Sequence, residues 1–292
     1  MTKAWVFPGQ GSQTVGMDQD LATQPAGQAR FKEASDILGW SVIDRCQGDL
    51  DTLSRTLYTQ PCLYTVEAIL VDALKAQGQQ PDFVAGHSLG EYVALYAAGV
   101  FDFATGLKLV KRRAELMDQA SGGMMAALLG FKTDQLEEAI AATPDVIIAN
   151  DNCPGQVVIS GTPEAVEAVL AQVKTRKSVP LKVSGAFHSS FMENAAHEYQ
   201  MLLDIVQFAP AQVPVISNVE PEAETNPDIL KARLVRQMTG PVRWRETGLT
   251  LEKLGVDTVV EIGPGNVLTG LMKRIVTGLT LINYADLASV AS

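Results

Sequence analysis

A serine stands between two glycines in Gly86-His87-Ser88-Leu89-Gly90, the G-x-S-x-G pattern in which a nucleophilic serine occupies a sharp turn between a strand and a helix. The short apolar run at 82–85 predicts a buried strand, and 91–98 lacks proline and glycine, which predicts a helix. Glycines at the turn allow the two backbones to approach closely. The Ser88 hydroxyl would then lie beside free N–H groups at a helix start, which can stabilise developing negative charge. The pattern predicts a nucleophile; the plain alternative is an ordinary turn with an N-capping serine.

Arg113 is the second residue whose position indicates chemistry, because it falls on the apolar face of a predicted helix. At 100° per residue, the apolar and the charged residues of this helix separate onto two faces, and Arg113 lies in the middle of the apolar one. A guanidinium there costs free energy unless it meets an anion. Two interpretations stay open from the helix alone. Arg113 either pairs with a protein carboxylate or reaches the edge of the face, or it binds a substrate carboxylate, which its planar fork fits.

His188 and Asn152 are further candidates with plain alternatives. His188 lies in a loop just ahead of a predicted helix, where an isolated histidine is more commonly a surface or capping residue. Asn152 belongs to a predicted turn at 150–155, so it either faces a cleft or supplies ordinary turn chemistry. The three histidines and three cysteines show no metal-ligand spacing and no C-x-x-C pair. This argues against a metal site or a disulfide framework and is typical of a reducing cytoplasm.

The composition of the 292 residues is that of a globular protein, with 47% apolar and 19% charged residues. The first residues contain no signal-peptide pattern, and no apolar run is long enough to cross a bilayer, so we expect no membrane association. A net charge of −10 argues against nucleic acid as a partner. It leaves room for a local basic patch that binds an acidic partner.

The predicted elements that would position these residues alternate between strands and helices, which indicates an α/β fold with a mainly parallel sheet. From residue 121 the pattern changes to β-α-β-β-α-β, the ferredoxin-like arrangement. We therefore predict a large α/β-hydrolase-like subdomain formed by 1–122 and 186–292. A small ferredoxin-like subdomain, 123–185, would be inserted into it.

Four separated motifs occur in a set order along the chain. They are Phe7-Pro8-Gly9-Gln10-Gly11-Ser12-Gln13, Gly86-His87-Ser88-Leu89-Gly90-Glu91-Tyr92, Gly185-Ala186-Phe187-His188-Ser189 and Glu261-Ile262-Gly263-Pro264-Gly265. Together they closely resemble the malonyl-CoA:acyl carrier protein transacylases of bacterial fatty acid synthesis. The resemblance covers nearly the whole chain, because the motifs agree with that family in both order and spacing.

This resemblance implies a catalytic role for each of several residues. Ser88 would be the nucleophile that accepts the acyl group, and His188 its general base. The backbone carbonyl of Gln237 would orient the histidine, as an aspartate does in a triad, which leaves a Ser–His dyad. The backbone N–H groups of Gln10 and Leu89 would form the oxyanion hole.

The resemblance also implies which residues contact the substrate. Arg113 matches the arginine that binds the malonyl carboxylate, which decides between the two interpretations of its helix. Phe187 before His188 is similar to the Phe-His of malonyl-selective transferases. Gln10 is a further expected substrate contact, and Asn152 joins these contacts as the candidate whose turn would face the cleft.

The implied activity is transfer of malonyl from malonyl-CoA to the phosphopantetheine thiol of acyl carrier protein, through a malonyl-serine intermediate. No cofactor and no metal are expected, and the enzyme would be a cytoplasmic monomer. The alternatives are a serine thioesterase or esterase, a polyketide acyltransferase and a non-catalytic carrier-binding module. Because the chain starts at Met1 without flanking modules, we expect a free-standing enzyme.

An acidic carrier would need a basic surface on this acidic chain, and the sequence contains two candidates. The first lies in the predicted small subdomain and the second on a later predicted helix. The first comprises Lys174, Arg176, Lys177 and Lys182; the second comprises Lys231, Arg233 and Arg236. Solvated helix faces are the plain alternative for both.

Overall fold

The computed structural model describes residues 1–290. Its six-stranded sheet, sheet A, carries the segment 86–90, the predicted nucleophile turn. The strands of the chain are β1 (Lys3–Phe7), β2 (Phe83–Gly86), β3 (Met124–Leu129), β4 (Val146–Cys153), β5 (Gln156–Gly161), β6 (Lys177–Pro180), β7 (Val215–Ile216), β8 (Ala223–Glu224), β9 (Thr258–Ile262) and β10 (Thr280–Tyr284). Sheet A has the order β10-β9-β1-β2-β7-β8, and all its pairs are parallel except β7 with β8. Its central strands β1 and β9 are almost entirely buried, as expected for parallel strands covered on both faces.

Helices cover the sheet, and the ones that carry candidate residues have clear start signals. The helices are α1 (Pro25–Leu38), α2 (Val42–Gln47), α3 (Leu50–Leu53), α4 (Thr56–Ala76), α5 (Gly90–Ala97), α6 (Phe103–Gln119), α7 (Thr133–Ala142), α8 (Pro163–Gln172), α9 (Glu193–Ile205), α10 (Pro227–Gln237), α11 (Trp244–Lys253), α12 (Val267–Ile275) and α13 (Leu287–Val290). Asp102 caps α6 by accepting from the Thr105 backbone N–H, and Asn226 caps α10 in the same way. Within 1–290, no helix is long and apolar enough to cross a membrane.

A second, four-stranded sheet, sheet B, has the order β4-β5-β3-β6 and only antiparallel pairs. Helices α7 and α8 pack against one face of it, with their own apolar cluster around Leu128, Ile159 and Val166. The elements follow in the predicted order β-α-β-β-α-β. The α/β class with a mainly parallel sheet is therefore confirmed. The hydrolase-like description and the division into two subdomains stay predictions.

Strand β4 runs through most of the segment 150–155, for which the sequence predicts a turn, so that prediction is wrong. The strand continues to Cys153, and only Pro154 and Gly155 turn the chain into β5. Two irregularities of register interrupt its pairing with β5, at Ile148/Asn150 and Asp151/Cys153. The backbone of Asp151 also donates to the carbonyl of Val242, so the strand is held on both sides. Pairing of the backbone thus keeps a polar segment extended against its local preference for a turn.

Candidate active site

The nucleophile turn joins the carboxyl end of β2 to the start of α5, as its sequence predicts. A Cβ atom on Gly86 would lie 1.9 Å from the carbonyl carbon of Gly90, and a Cβ on Gly90 would lie 2.0 Å from the carbonyl oxygen of Phe7. Neither position has room for a side chain. Ser88 itself has a φ of 52°, in the left-handed region, which turns its side chain out of the strand direction.

His188 lies beside Ser88, and its two ring nitrogens have different partners. The Ser88 Oγ is 2.8 Å from the His188 Nε2, and the His188 Nδ1 is 2.9 Å from the backbone carbonyl oxygen of Gln237. Because a carbonyl can only accept, Nδ1 carries the proton and Nε2 is free to accept from the serine hydroxyl. Burial, and secondly the positive charge of Arg113, lowers the pKa of His188 to about 3. The imidazole is therefore neutral near pH 7 and can take a proton.

Arg113 is fully buried at 0% exposure, and its guanidinium points at the serine. One terminal nitrogen donates to the Ser88 Oγ at 3.0 Å and to the side-chain oxygen of Gln237 at 3.0 Å, and the other donates to the Gln60 side-chain oxygen at 2.8 Å. No carboxylate in the described part of the chain forms an ion pair with it, and its Nε has no hydrogen-bond partner there. The site thus holds a buried cation among neutral partners, next to the Ser88 hydroxyl.

Two amide side chains that the sequence analysis missed support this arrangement. The Asn218 side chain accepts from the Ser88 backbone N–H at 2.7 Å and donates to the Gly86 carbonyl, so it fixes the turn. The feature that indicates Asn218 is its position just after β7, because β7 is the parallel neighbour of β2 in sheet A and the ends of the two strands lie side by side. Gln60 accepts from Arg113, and the sequence feature that indicates it is the one amide side chain in helix α4, whose residues are mostly buried.

The loop after β1 packs directly on the nucleophile turn. A Cβ on Gly9 would lie 2.4 Å from the carbonyl oxygen of His87 and 3.7 Å from the backbone nitrogen of Leu89. Gln10 and Leu89 both line the cleft at Ser88. Within 1–290, the backbone N–H groups of these two residues donate to no other group. They are therefore available to a developing oxyanion.

The cleft at Ser88 has a volume of about 90 Å³ and is lined by residues near sheet A, such as Ser88, and by residues of sheet B, such as Met125 and Asn150. Its lining comprises Gln10, Gln60, His87, Ser88, Leu89, Met117, Met125, Asn150, Leu181, Val183, Phe187 and His188. Phe187 is thus brought to the cleft. Asn152 is not among the lining residues, because its side-chain oxygen bonds the His87 Nε2 at 2.8 Å, and Asn150 takes its place at the cleft. The structure does not support Asn152 as a direct substrate contact.

Comparisons with known proteins agree with one another over this whole region. The model of the acyl transferase domain family matches residues 4–288, a stretch that contains every site residue named above. The chain is 56% identical to malonyl CoA-acyl carrier protein transacylase of Synechocystis, over all of both chains. The crystal structure of the Synechocystis malonyl-CoA:ACP transacylase matches with a TM-score of 0.98, covering 100% of this chain and 99% of that one. A malonyl-transacylase solved in complex with a holo type II polyketide acyl carrier protein matches with a TM-score of 0.94 at 40% identity, covering 100% and 98%.

Proposed function

Because this chain belongs to the acyl transferase domain family, we propose that it transfers malonyl from malonyl-CoA to the phosphopantetheine thiol of acyl carrier protein, for fatty acid synthesis. One observation carries the proposal. The Ser88 Oγ lies within hydrogen-bond distance of a neutral histidine nitrogen and of a buried guanidinium without a carboxylate partner. A nucleophile with its base serves acyl transfer, and a buried cation beside it selects an acyl group that carries its own carboxylate.

In the first half-reaction, the Ser88 Oγ attacks the thioester carbon while its proton passes to the His188 Nε2. The carbonyl oxygen becomes an oxyanion that accepts from the backbone N–H groups of Gln10 and Leu89; loss of one such donor costs roughly 100- to 1000-fold in rate. The carbon–sulfur bond then breaks, and His188 returns the proton to the departing thiolate. Malonyl-Ser88 and CoA remain.

In the second half-reaction, the thiol of the carrier's phosphopantetheine gives its proton to His188 and attacks the ester carbon. The bond to the Ser88 Oγ breaks, and the oxygen regains the proton from His188. Since a thiol is a good leaving group, a histidine backed only by the backbone carbonyls of Gln237 and Gly240 suffices as base. The low pKa of His188 makes the imidazole a weak base, and a good leaving group is what allows a weak base to serve.

Selectivity for malonyl follows from the burial of Arg113. The guanidinium exchanges its contact with Ser88 for the malonyl carboxylate, with which it forms a charge-assisted pair. An acetyl group would leave the same cation buried without an anion, which is costly.

The carrier would approach where basic residues adjoin the cleft. A second cavity, of about 320 Å³, contains Arg55 and Lys182 and shares Val183 with the Ser88 cleft, which supports it as the route of the pantetheine arm. The basic cluster on α10 is less suitable, because Arg233 and Arg236 both pair with Glu220. Lys182 also pairs, with Asp51 at 3.4 Å, but both side chains of that pair are exposed, and Lys174, Arg176 and Lys177 form no ion pair within 1–290. The exposed cluster of Lys174, Arg176, Lys177 and Lys182 is therefore the proposed carrier surface.

A cytoplasmic location and a monomeric state belong to the same proposal. All three cysteines are free and buried, as is typical of a reducing compartment. Sedimentation of the purified chain measures its oligomeric state.

Incubation of the protein with radiolabelled malonyl-CoA, without carrier, tests the proposed function. We expect one malonyl group per chain, located on Ser88 by peptide mapping, and its discharge on addition of holo carrier protein. The Ser88→Ala variant is the control and should take up no label. Free malonate without a labelled chain would indicate a hydrolase instead, and neither label nor turnover would indicate a binding module.

A further inference from the structure

Glu91 lies beneath the nucleophile turn and has no part in the mechanism described so far. It occupies the first turn of α5, three residues after Ser88, and its side chain is buried, with the residue 1% exposed. A glutamate at this point of a helix would ordinarily face solvent and interact with the helix dipole. Instead, one oxygen of Glu91 accepts from the side-chain nitrogen of Gln237 at 2.7 Å and from the backbone N–H of Asn218 at 3.1 Å.

Gln237 connects this carboxylate to the reacting groups. Its side-chain nitrogen also donates to the Ser88 carbonyl at 3.0 Å, and its side-chain oxygen accepts from Arg113 at 3.0 Å. An amide has one donating and one accepting end, so the orientation of this side chain decides which end meets the guanidinium. The oxygen of Glu91 accepts from the nitrogen end, which leaves the oxygen end for Arg113.

We propose that Glu91 is a positioning residue for malonyl recognition, which holds the Arg113 guanidinium beside Ser88 by fixing the orientation of the Gln237 amide. The inference rests on the proposed function of Arg113 as the malonyl clamp. Without an acceptor at position 91, the Ser88 carbonyl alone holds the nitrogen end, and rotation of the amide by half a turn brings its N–H groups against those of Arg113. Because the guanidinium is buried, no water relieves that contact, and Arg113 must leave its place.

The test measures a ratio that is independent of the fraction of correctly folded protein. Initial rates of Ser88 acylation from malonyl-CoA and from acetyl-CoA are determined by intact mass for the full chain and for Glu91→Leu, Glu91→Gln and Glu167→Leu. We expect Glu91→Leu to lower the malonyl-to-acetyl ratio about tenfold, the effect of one lost hydrogen bond near a charge. Glutamine at position 91 retains an acceptor oxygen and should keep the ratio near that of the parent. Glu167, exposed on α8, is the matched control and should leave the ratio unchanged.

General destabilisation would lower both rates together and leave their ratio alone. A ratio in Glu91→Leu equal to that of the parent therefore overturns the inference, and so does an equal loss in Glu91→Gln, which would assign the effect to charge. If the parent itself forms no malonyl-Ser88, the proposed function fails instead, and the two failures are distinguishable.

Gln237→Leu gives a second route if Glu91→Leu does not fold. This change removes the amide but keeps the backbone carbonyl that bonds the His188 Nδ1. The ratio should fall as in Glu91→Leu, and the double variant should fall no further than Gln237→Leu alone, since both changes break one connection. A preserved malonyl preference in Gln237→Leu would overturn the inference.

Discussion

Lowering the pH tests whether His188 remains a neutral base. Its pKa of about 3, compared with 6.5 for an ordinary histidine, results first from burial and then from the positive charge of Arg113. The kcat/KM for malonyl-CoA reports the protonation of the free enzyme. We therefore expect kcat/KM to be almost constant between pH 7.5 and pH 5.5.

The size of the alternative effect follows from the two pKa values. A histidine of pKa 6.5 would be neutral in roughly 91% of molecules at pH 7.5 and roughly 9% at pH 5.5, so kcat/KM would fall about tenfold. With the pKa of about 3, the histidine stays more than about 99% neutral over this range and kcat/KM hardly changes. The substrate carboxyl remains ionised at both pH values, because ordinary carboxyl groups titrate near pH 4.

The assay follows release of CoA during Ser88 loading at low substrate concentration, with circular dichroism as a control for folding. That control matters because the depressed pKa of His188 also affects stability. Above pH 6.5, the pKa of a histidine in the unfolded chain, this histidine does not lower the stability. As the pH falls from there towards the folded pKa, the unfolded chain takes up a proton that the folded chain does not, and the free energy of unfolding falls by about 1.4 kcal/mol per pH unit. A tenfold fall in kcat/KM at pH 5.5 with the fold intact would refute the argument for a neutral His188.

Three further predictions follow from the same site. Arg113→Met should abolish the preference for malonyl-CoA over acetyl-CoA in the loading assay, and an unaltered preference would contradict the role of Arg113 as the malonyl clamp. The pH at which the rate of acetyl-CoA loading falls in acid should also be higher in this variant, because one cause of the low pKa of His188 is gone. Gly90→Ala should lower the free energy of unfolding, measured by denaturant titration, by more than about 3 kcal/mol, since its Cβ would lie 2.0 Å from a backbone oxygen. A free energy of unfolding near that of the parent would contradict the packing at the turn. Lys177→Glu with Lys182→Glu should lower kcat/KM for the carrier relative to malonyl-CoA and weaken its salt dependence, and unchanged values would exclude this surface.

Local pattern was enough to predict the nucleophile turn and to place Arg113 on the apolar face of its helix. Both depend on the order of neighbouring residues, since two glycines mark a tight turn and helical periodicity gives the face on which a residue lies. That the guanidinium is buried, and not at the edge of that face, is seen only in the structure. The class of the fold followed in the same way from alternating strands and helices.

Contacts between distant residues could not be predicted in this way. Glu91 and Gln237 are 146 positions apart, and only the folded chain brings the carboxylate to the amide. Asn152 was placed in a turn because Asn, Asp, Pro and Gly favour turns locally. Pairing of β4 with β5 and with Val242 overrides that preference, and the strand directs Asn152 towards His87.

Ser88 and His188, the residues of the proposed dyad, share a backbone feature with a consequence for protein engineering. Their φ values of 52° and 58° are ones that side chains rarely adopt, at about 1–2 kcal/mol each. Glycine at position 88 would relieve this strain, against about 0.5–1 kcal/mol of added chain entropy in the unfolded state, whereas glycine at position 188 would also leave empty the space of a buried, hydrogen-bonded imidazole. Screens for thermal tolerance that ignore turnover will therefore enrich inactive variants at position 88. Directed evolution of this enzyme must select for catalysis in every round, because at position 88 heat resistance and activity favour different residues.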